Sequence, residues 1–255
     1  MPSWPRLPKA RNWHRIVPDT MARETLCLLP GMMCDGRLFA PQVDALGTDH
    51  DIVIGDITGA ETMAGLADGL LAQLPDRFNL AGLSMGGIVA QEMARKAPGR
   101  VMRLALLDTS FGADSDRRKA IRDDQIARAR AGGLRELFLT EMKPHYLAEA
   151  NSADTDLNAL FLDMATILGP DVFARQSLAL RDRPDQTGTL SGFAGPSLVL
   201  CGAEDRMCPP VIHEQMAALL PDADLVIVEG AGHITTLEAP DAVNAALAAW
   251  LARPA

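Results

Sequence analysis

The run Phe78-Asn79-Leu80-Ala81-Gly82-Leu83-Ser84-Met85-Gly86-Gly87-Ile88-Val89-Ala90-Gln91-Glu92-Met93 changes character at Ser84. Phe78 to Ala81 is a short apolar stretch of the kind a buried strand shows, while Gly86 to Met93 reads as the opening of a helix. Between them lies Gly82-Leu83-Ser84-Met85-Gly86, a G-x-S-x-G string. Where such a string joins a strand to a helix, the serine sits on a sharp, strained turn with its hydroxyl exposed, and the glycines let strand and helix approach closely. The N-terminus of the following helix also favours negative charge beside the serine. A plain Gly/Ser loop entering a helix is the alternative. The flanking pattern favours the turn and makes Ser84 a candidate nucleophile.

Outward from Ser84, short runs rich in Leu, Val and Ile at 24–29, 51–55, 101–107, 197–201 and 225–228 predict further buried strands. Helical patterns at 62–74, 84–96, 211–220 and 241–251 separate several of them. Strands alternating with helices indicate parallel β-α-β units, and parallel strands buried on both faces appear as continuous apolar runs. The expected fold class is therefore α/β, a doubly wound, mostly parallel sheet. One stretch breaks the alternation. Helical segments at 117–131, 134–148, 156–168 and 171–180, separated by Gly132-Gly133, 151–154 and Gly169-Pro170, predict a helical cap insertion. The expected organisation is an N-terminal tail at 1–20, a core at 21–110 and 190–255, and a cap at 111–189. The tail, with Trp4, Trp13 and several prolines, reads either as extended or disordered, with Met21 as an alternative start, or as carrying a short strand at 13–17.

The chain has 255 residues, 48% of them hydrophobic, enough for one sizeable core. A net charge of −9 without a run of Lys and Arg argues against nucleic acid as a partner. Cys27, Cys34, Cys201 and Cys208 show neither a C-x-x-C pair nor zinc-ligand spacing. No secretory leader and no membrane span are expected from the sequence, so no membrane association is predicted and the expected location is cytoplasmic.

Two further loops carry chemistry. Gly202-Ala203-Glu204-Asp205 follows the strand at 197–201, and catalytic groups in open α/β sheets gather beyond the carboxyl ends of strands. Asp205 is placed to orient a histidine, with Glu204 and Asp108 as competing carboxylates. Gly230-Ala231-Gly232-His233 follows the strand at 225–228, and a histidine there can serve a serine as general base. His14, His50, His145 and His213 read as surface or packing residues. The order Ser84, Asp205, His233 is the serine–acid–histidine order expected of a strand–turn–helix serine. Acyl transfer also needs two backbone N–H groups facing the oxyanion. Met85, just after the serine, is one expected donor. Met32, in the loop Pro30-Gly31-Met32-Met33-Cys34, is the other, with Met33 as the alternative.

These residues resemble the α/β-hydrolase superfamily from about Thr25 to Leu251. Many members carry His-Gly in the first loop, where this chain has Pro30-Gly31. The string Gly82–Gly87 looks like that of small carboxylesterases, enol-lactonases and methyl-esterases with a four-helix cap. The resemblance implies a cap over the pocket, no metal and no organic cofactor, and a serine at position 84 disfavours the relatives that use an aspartate nucleophile. The expected function is a serine hydrolase that cleaves a small or medium carboxylic ester, thioester or lactone through an acyl-enzyme. An acyltransferase or C–C bond hydrolase with the same triad is the alternative, and a non-catalytic ligand-binding protein is the alternative of another class. The partner expected is a small-molecule acyl substrate. Arg117, Arg118, Lys119, Arg122, Arg128, Arg130 and Arg135 form a local basic excess that could dock an anionic substrate or an acidic carrier protein, with a solvated helix face as the plainer reading.

Overall fold

The computed structural model describes residues 23–255; the tail at 1–20, with the strand considered at 13–17, lies outside the described residues. In chain order the strands are β1 (Thr25–Leu29), β2 (Asp51–Ile54), β3 (Phe78–Leu83), β4 (Val101–Leu107), β5 (Ser197–Gly202) and β6 (Ala223–Val228). Around them run helices α1 (Ala40–Leu46), α2 (Met63–Leu71), α3 (Met85–Lys96), α4 (Asp116–Arg128), α5 (Leu134–Leu137), α6 (Thr155–Arg181), α7 (Thr187–Gly192), α8 (Pro210–Leu219), α9 (Thr235–Glu238) and α10 (Pro240–Leu251). The strands form one sheet in the order β2-β1-β3-β4-β5-β6, every pair parallel. This is the α/β architecture that the alternation of apolar runs and helical patterns predicts.

Because side chains alternate across a strand, the sheet feeds two cores. Leu26, Leu28, Ala81, Leu83, Leu198 and Leu200 face one, which they share with α1, α10 and the helices between β4 and β5. Cys27, Leu29, Leu80, Leu104, Leu106 and Val199 face the other, against α2, α3 and α8. From β1 the chain crosses to β2 on one side, then returns past β1 to form β3 on the other. The loops after β1 and β3 therefore leave the sheet side by side at a topological switch point, where open α/β sheets hold their ligands. A Cβ on Gly86 would overlap the carbonyl oxygens of Leu29 and Pro30, so glycine is what lets the start of α3 lie against the loop after β1.

Between β4 and β5 the described chain forms only helical segments and turns. The pattern expected at 117–131 continues from α4 through a wide turn at Ala129–Gly133, where Gly132 takes φ 92°. The two helices expected at 156–168 and 171–180 are one continuous run, α6, broken in geometry at Gly169 (φ 76°) before Pro170. By length and composition α6 is apolar enough to cross a membrane, where the sequence predicts no such segment. Its Phe161, Met164, Ala165 and Phe173 are instead buried in the core. α1, short and carrying Pro41 at its start, has no counterpart among the predicted helices.

Candidate active site

Ser84 stands between β3 and α3 with φ 54° and ψ −117°, a backbone conformation that costs a non-glycine residue energy and persists only where neighbours hold it. They do so from three sides. Its N–H donates to Leu107 O at 2.9 Å, its carbonyl accepts from Ile88 N–H at 3.2 Å, and the Thr109 hydroxyl donates to that same carbonyl at 2.6 Å. The side chain is thereby lifted off the strand ends toward the loops after β5 and β6.

Those loops supply the groups it meets. His233 Nε2 lies 2.9 Å from Ser84 Oγ, and His233 Nδ1 lies 2.8 Å from Asp205 Oδ2. The other Asp205 oxygen, Oδ1, accepts from the N–H groups of Met207 (2.8 Å) and Cys208 (2.9 Å), which fixes the carboxylate plane. A carboxylate held this way accepts a hydrogen bond from Nδ1–H, which keeps the proton on Nδ1 and leaves Nε2 as an acceptor for the serine hydroxyl. Asp205 and His233 are both buried. Burial by itself pushes the imidazole pKa down, but the charge and hydrogen bond of Asp205, with Asp108 and Glu238 adding to them, raise it above its ordinary value.

The two competing carboxylates are engaged elsewhere. Glu204 accepts from Glu149 N–H at 3.0 Å. Asp108, fully buried at φ 46°, accepts from Gly202 N–H at 3.1 Å and from the Thr235 hydroxyl at 2.5 Å, tying β4 to β5 and to α9 beneath the histidine loop. Burial and the nearby Asp205 charge hold its pKa well above the usual carboxylate range.

In the loop after β1, Cys34 N–H closes a turn on Gly31 O at 3.1 Å. Met33 takes φ 57°, and its N–H donates to the buried Gln176 side chain of α6 at 2.9 Å. That bond engages Met33 and leaves Met32 N–H without a partner among the described residues. Met85 N–H opens α3 and has no partner there either. Both residues line one cavity of about 640 Å³ with Ser84 and His233. Met142, Tyr146 and Phe173 form part of its apolar wall, while Asp114, Arg118, Arg122 and Arg183 form a charged one. Asp205, Cys208 and His233 bring metal-ligating atoms within 4.8 Å of one another. Asp205 and His233 already bond each other, and burial beside Asp205 pushes the Cys208 thiol pKa up, so the set is a poor match for a cation.

The sequence matches the alpha/beta hydrolase family over residues 3–246. The chain belongs to that family. It is 27% identical over 189 residues to a pimeloyl-(acyl-carrier protein) methyl ester esterase of Neisseria meningitidis, covering 72% of each chain. It is 26% identical over 243 residues to an (E)-2-((N-methylformamido)methylene)succinate hydrolase of Acinetobacter baylyi, covering 89% of this chain and 90% of that one. Among solved structures, a thermophilic esterase from Thermogutta terrifontis superposes with a TM-score of 0.83 at 29% identity, over 90% of both chains. As a member of the alpha/beta hydrolase family, the chain is an enzyme of the hydrolase class.

Within this hydrolase the structure brings Ser84, Asp205 and His233 together and sets Met32 and Met85 beside the same cavity. His145 is exposed, as expected, and also borders the cavity. His213 is buried packing, as expected, but is also a bonded one. Its Nε2 accepts from Thr109 N–H at 2.9 Å, and burial lowers its pKa to about 4. The basic excess on α4 is not one solvated face either: Arg122 is buried against Asp114, while Arg128 pairs with Glu141. Gln176 and Glu238 escaped sequence reasoning. Gln176 lies between Arg175 and Ser177, and Glu238 lies before the last predicted helix, so nothing local marks either side chain or its bond partner.

Proposed function

We propose that this hydrolase cleaves a carboxylic ester, thioester or lactone through an acyl-enzyme on Ser84. The observation that carries the reading is the continuous chain Ser84 Oγ–His233–Asp205, with both links under 3 Å, opening on the cavity from a strained serine. His233 Nε2 takes the hydroxyl proton as Ser84 Oγ attacks the carbonyl carbon. The N–H groups of Met85 and Met32 receive the negative charge on the carbonyl oxygen; such donors contribute on the order of 10²–10³ each in rate. The imidazolium, stabilised by Asp205, then protonates the leaving alcohol or thiol. Water enters, gives its proton to the same imidazole, and attacks the acyl carbon to release the acid and regenerate Ser84. The methyl ester esterase and the esterase among its relatives support an ester as the bond cleaved.

The test is hydrolysis of p-nitrophenyl esters from acetate to laurate by the intact protein and by Ser84→Ala. Turnover should fall by about 10⁴ or more in the variant, as loss of a triad nucleophile does elsewhere. A fluorophosphonate should label the intact protein at Ser84 and leave the variant unlabelled. Equal rates in the two proteins overturn the assignment of Ser84.

A further inference from the structure

Three guanidiniums meet a single carboxylate in the wall of the cavity that holds Ser84. Asp114 is buried in the turn before α4. Arg122 Nε lies 2.5 Å from its Oδ2, Arg183 Nη2 lies 2.9 Å from its Oδ1, and Arg118 Nε lies 3.5 Å from Oδ1. Two positive charges are thus in excess, on a protein whose net charge is −9. The nearby Glu141 does not cancel them, because Arg128 and Gln125 already hold it; Arg206, also in the wall, is matched by Glu149.

The donors are also underused. Arg122 spends only Nε on Asp114, and Arg183 spends Nε on Gly112 O at 2.8 Å. The Arg183 and Arg118 contacts to Asp114 Oδ1 are close in distance but off the line of a hydrogen bond, so that oxygen has no hydrogen-bond donor among the described residues. The side chains of Arg122 and Arg183 are each 10% exposed, and their Nη groups have no hydrogen-bond acceptor among the described residues. Burial, which Asp114 offsets only in part, holds the pKa of both below the usual guanidinium value. Their Nη atoms are not among the buried atoms that lack a partner, so they open on the cavity, and guanidinium forks presented in this way bind planar oxyanions in pairs.

We infer that Arg118, Arg122 and Arg183 form an anion subsite of this active site, and that the substrate is an ester or thioester carrying a carboxylate or phosphate group remote from the scissile bond. This rests on the acyl-enzyme reading for the reaction, while the binding of the anion itself does not. The apolar wall at Met142, Tyr146 and Phe173 takes the intervening chain, and the arginines take its charged end. They act on binding and orientation and touch no reacting atom.

The experiment compares p-nitrophenyl half-esters of C5 to C8 dicarboxylic acids with the neutral esters of matched chain length, and adds ω-phosphorylated analogues as a second anionic arm. The half-esters should be preferred at least tenfold in kcat/KM, mostly through KM, with the preference shrinking as salt rises. Arg118→Gln and Arg183→Gln should each cut the anionic-to-neutral ratio by about tenfold, the effect of losing one charge-assisted hydrogen bond; Arg122→Lys should restore part of what Arg122→Gln loses. A ratio that stays constant while both rates fall together would show a purely structural ion cluster and overturn the inference. Which anionic arm is preferred names the group bound. Calorimetric titration of adipate into Ser84→Ala reads the subsite without catalysis. Salt-sensitive adipate binding that Arg118→Gln weakens tenfold supports the subsite even if no ester is turned over, an outcome that would sink only the acyl-enzyme reading. Ester turnover with no adipate binding and no anionic preference sinks the subsite alone. Should Arg122→Gln fail to fold, Arg118→Gln, whose side chain is 58% exposed, carries the same comparison.

Discussion

The backbone N–H of His233 donates to the carbonyl of Tyr146 at 2.8 Å. The loop that presents the imidazole to Ser84 is therefore anchored on the segment that follows α5, and not only on its own strand. Glu238 of α9 reinforces the joint, accepting from Gly232 N–H at 2.8 Å and from Ala148 N–H at 2.7 Å. The two backbones run so close that a Cβ on Gly232 would sit 2.6 Å from Ala148 N and from Leu147 C.

Gly232→Ala should accordingly displace the histidine loop. The groups in the way are main chain on both sides, so the structure must shift instead of rotating a side chain aside. A loss of stability of about 1–3 kcal/mol is expected, the usual cost of overpacking. kcat should fall at least tenfold while the protein remains folded. Thermal melting and ester kinetics on the same preparation check this, and wild-type kcat in the variant would show that the joint does not set the histidine.

Gln176→Leu should separate oxyanion stabilisation from substrate binding. Gln176 Oε1 holds Met33 N–H at 2.9 Å and its Nε2 lies 3.3 Å from Ile57 O, both in a buried setting. Removing it leaves a buried N–H and a buried carbonyl unpaired, costing about 1–3 kcal/mol of stability. It also frees a loop whose Met33 holds a positive φ only by being tied down. kcat should drop by about 10- to 100-fold with little change in KM, because Met32 N–H is used mainly when charge develops on the oxygen. A change confined to KM would remove Met32 from the oxyanion hole.

The pH profile follows from His233. The base must be neutral, and its pKa is raised above 6.5, so kcat/KM should fall as pH drops, with an acid limb centred above 6.5. Asp205→Asn removes the main group that raises the pKa. Its residual activity should be lower by about 10⁴, the scale seen when such an aspartate is replaced, and its acid limb should move to lower pH. For folding, the sign is that of any raised histidine. The favourable contribution of the imidazolium is fully present below the unfolded-state pKa and is lost as pH rises through the folded-state pKa. Chemical denaturation across pH 5–9 in wild type and Asp205→Asn reads that difference, and identical curves would remove the Asp205 charge from His233.

Ser84, Asp205 and His233 are legible in the sequence because each lies on a short loop directly after a strand, and the strands themselves are continuous apolar runs. Backbone demands of that kind leave local marks: glycines where main chains touch, a serine at the strand-to-helix turn, a histidine in a Gly-rich loop. The alternation of strand and helix further dictates parallel pairing, because crossovers leave no other way to bury both faces of the sheet. What pairs with what across the chain leaves no such mark. Gln176 reaches Met33 over 143 positions, Asp108 reaches Thr235 over 127, and Arg183 reaches Gly112 over 71. Glu204, Asp108 and Asp205 all follow strand ends and differ only in where the sheet twist and the neighbouring loops aim them. Choosing among those carboxylates, and burying Arg122 against Asp114 beside the distant Arg183 in the wall of the cavity that holds Ser84, required the tertiary structure, because side-chain direction and burial are decided by packing between elements distant in sequence.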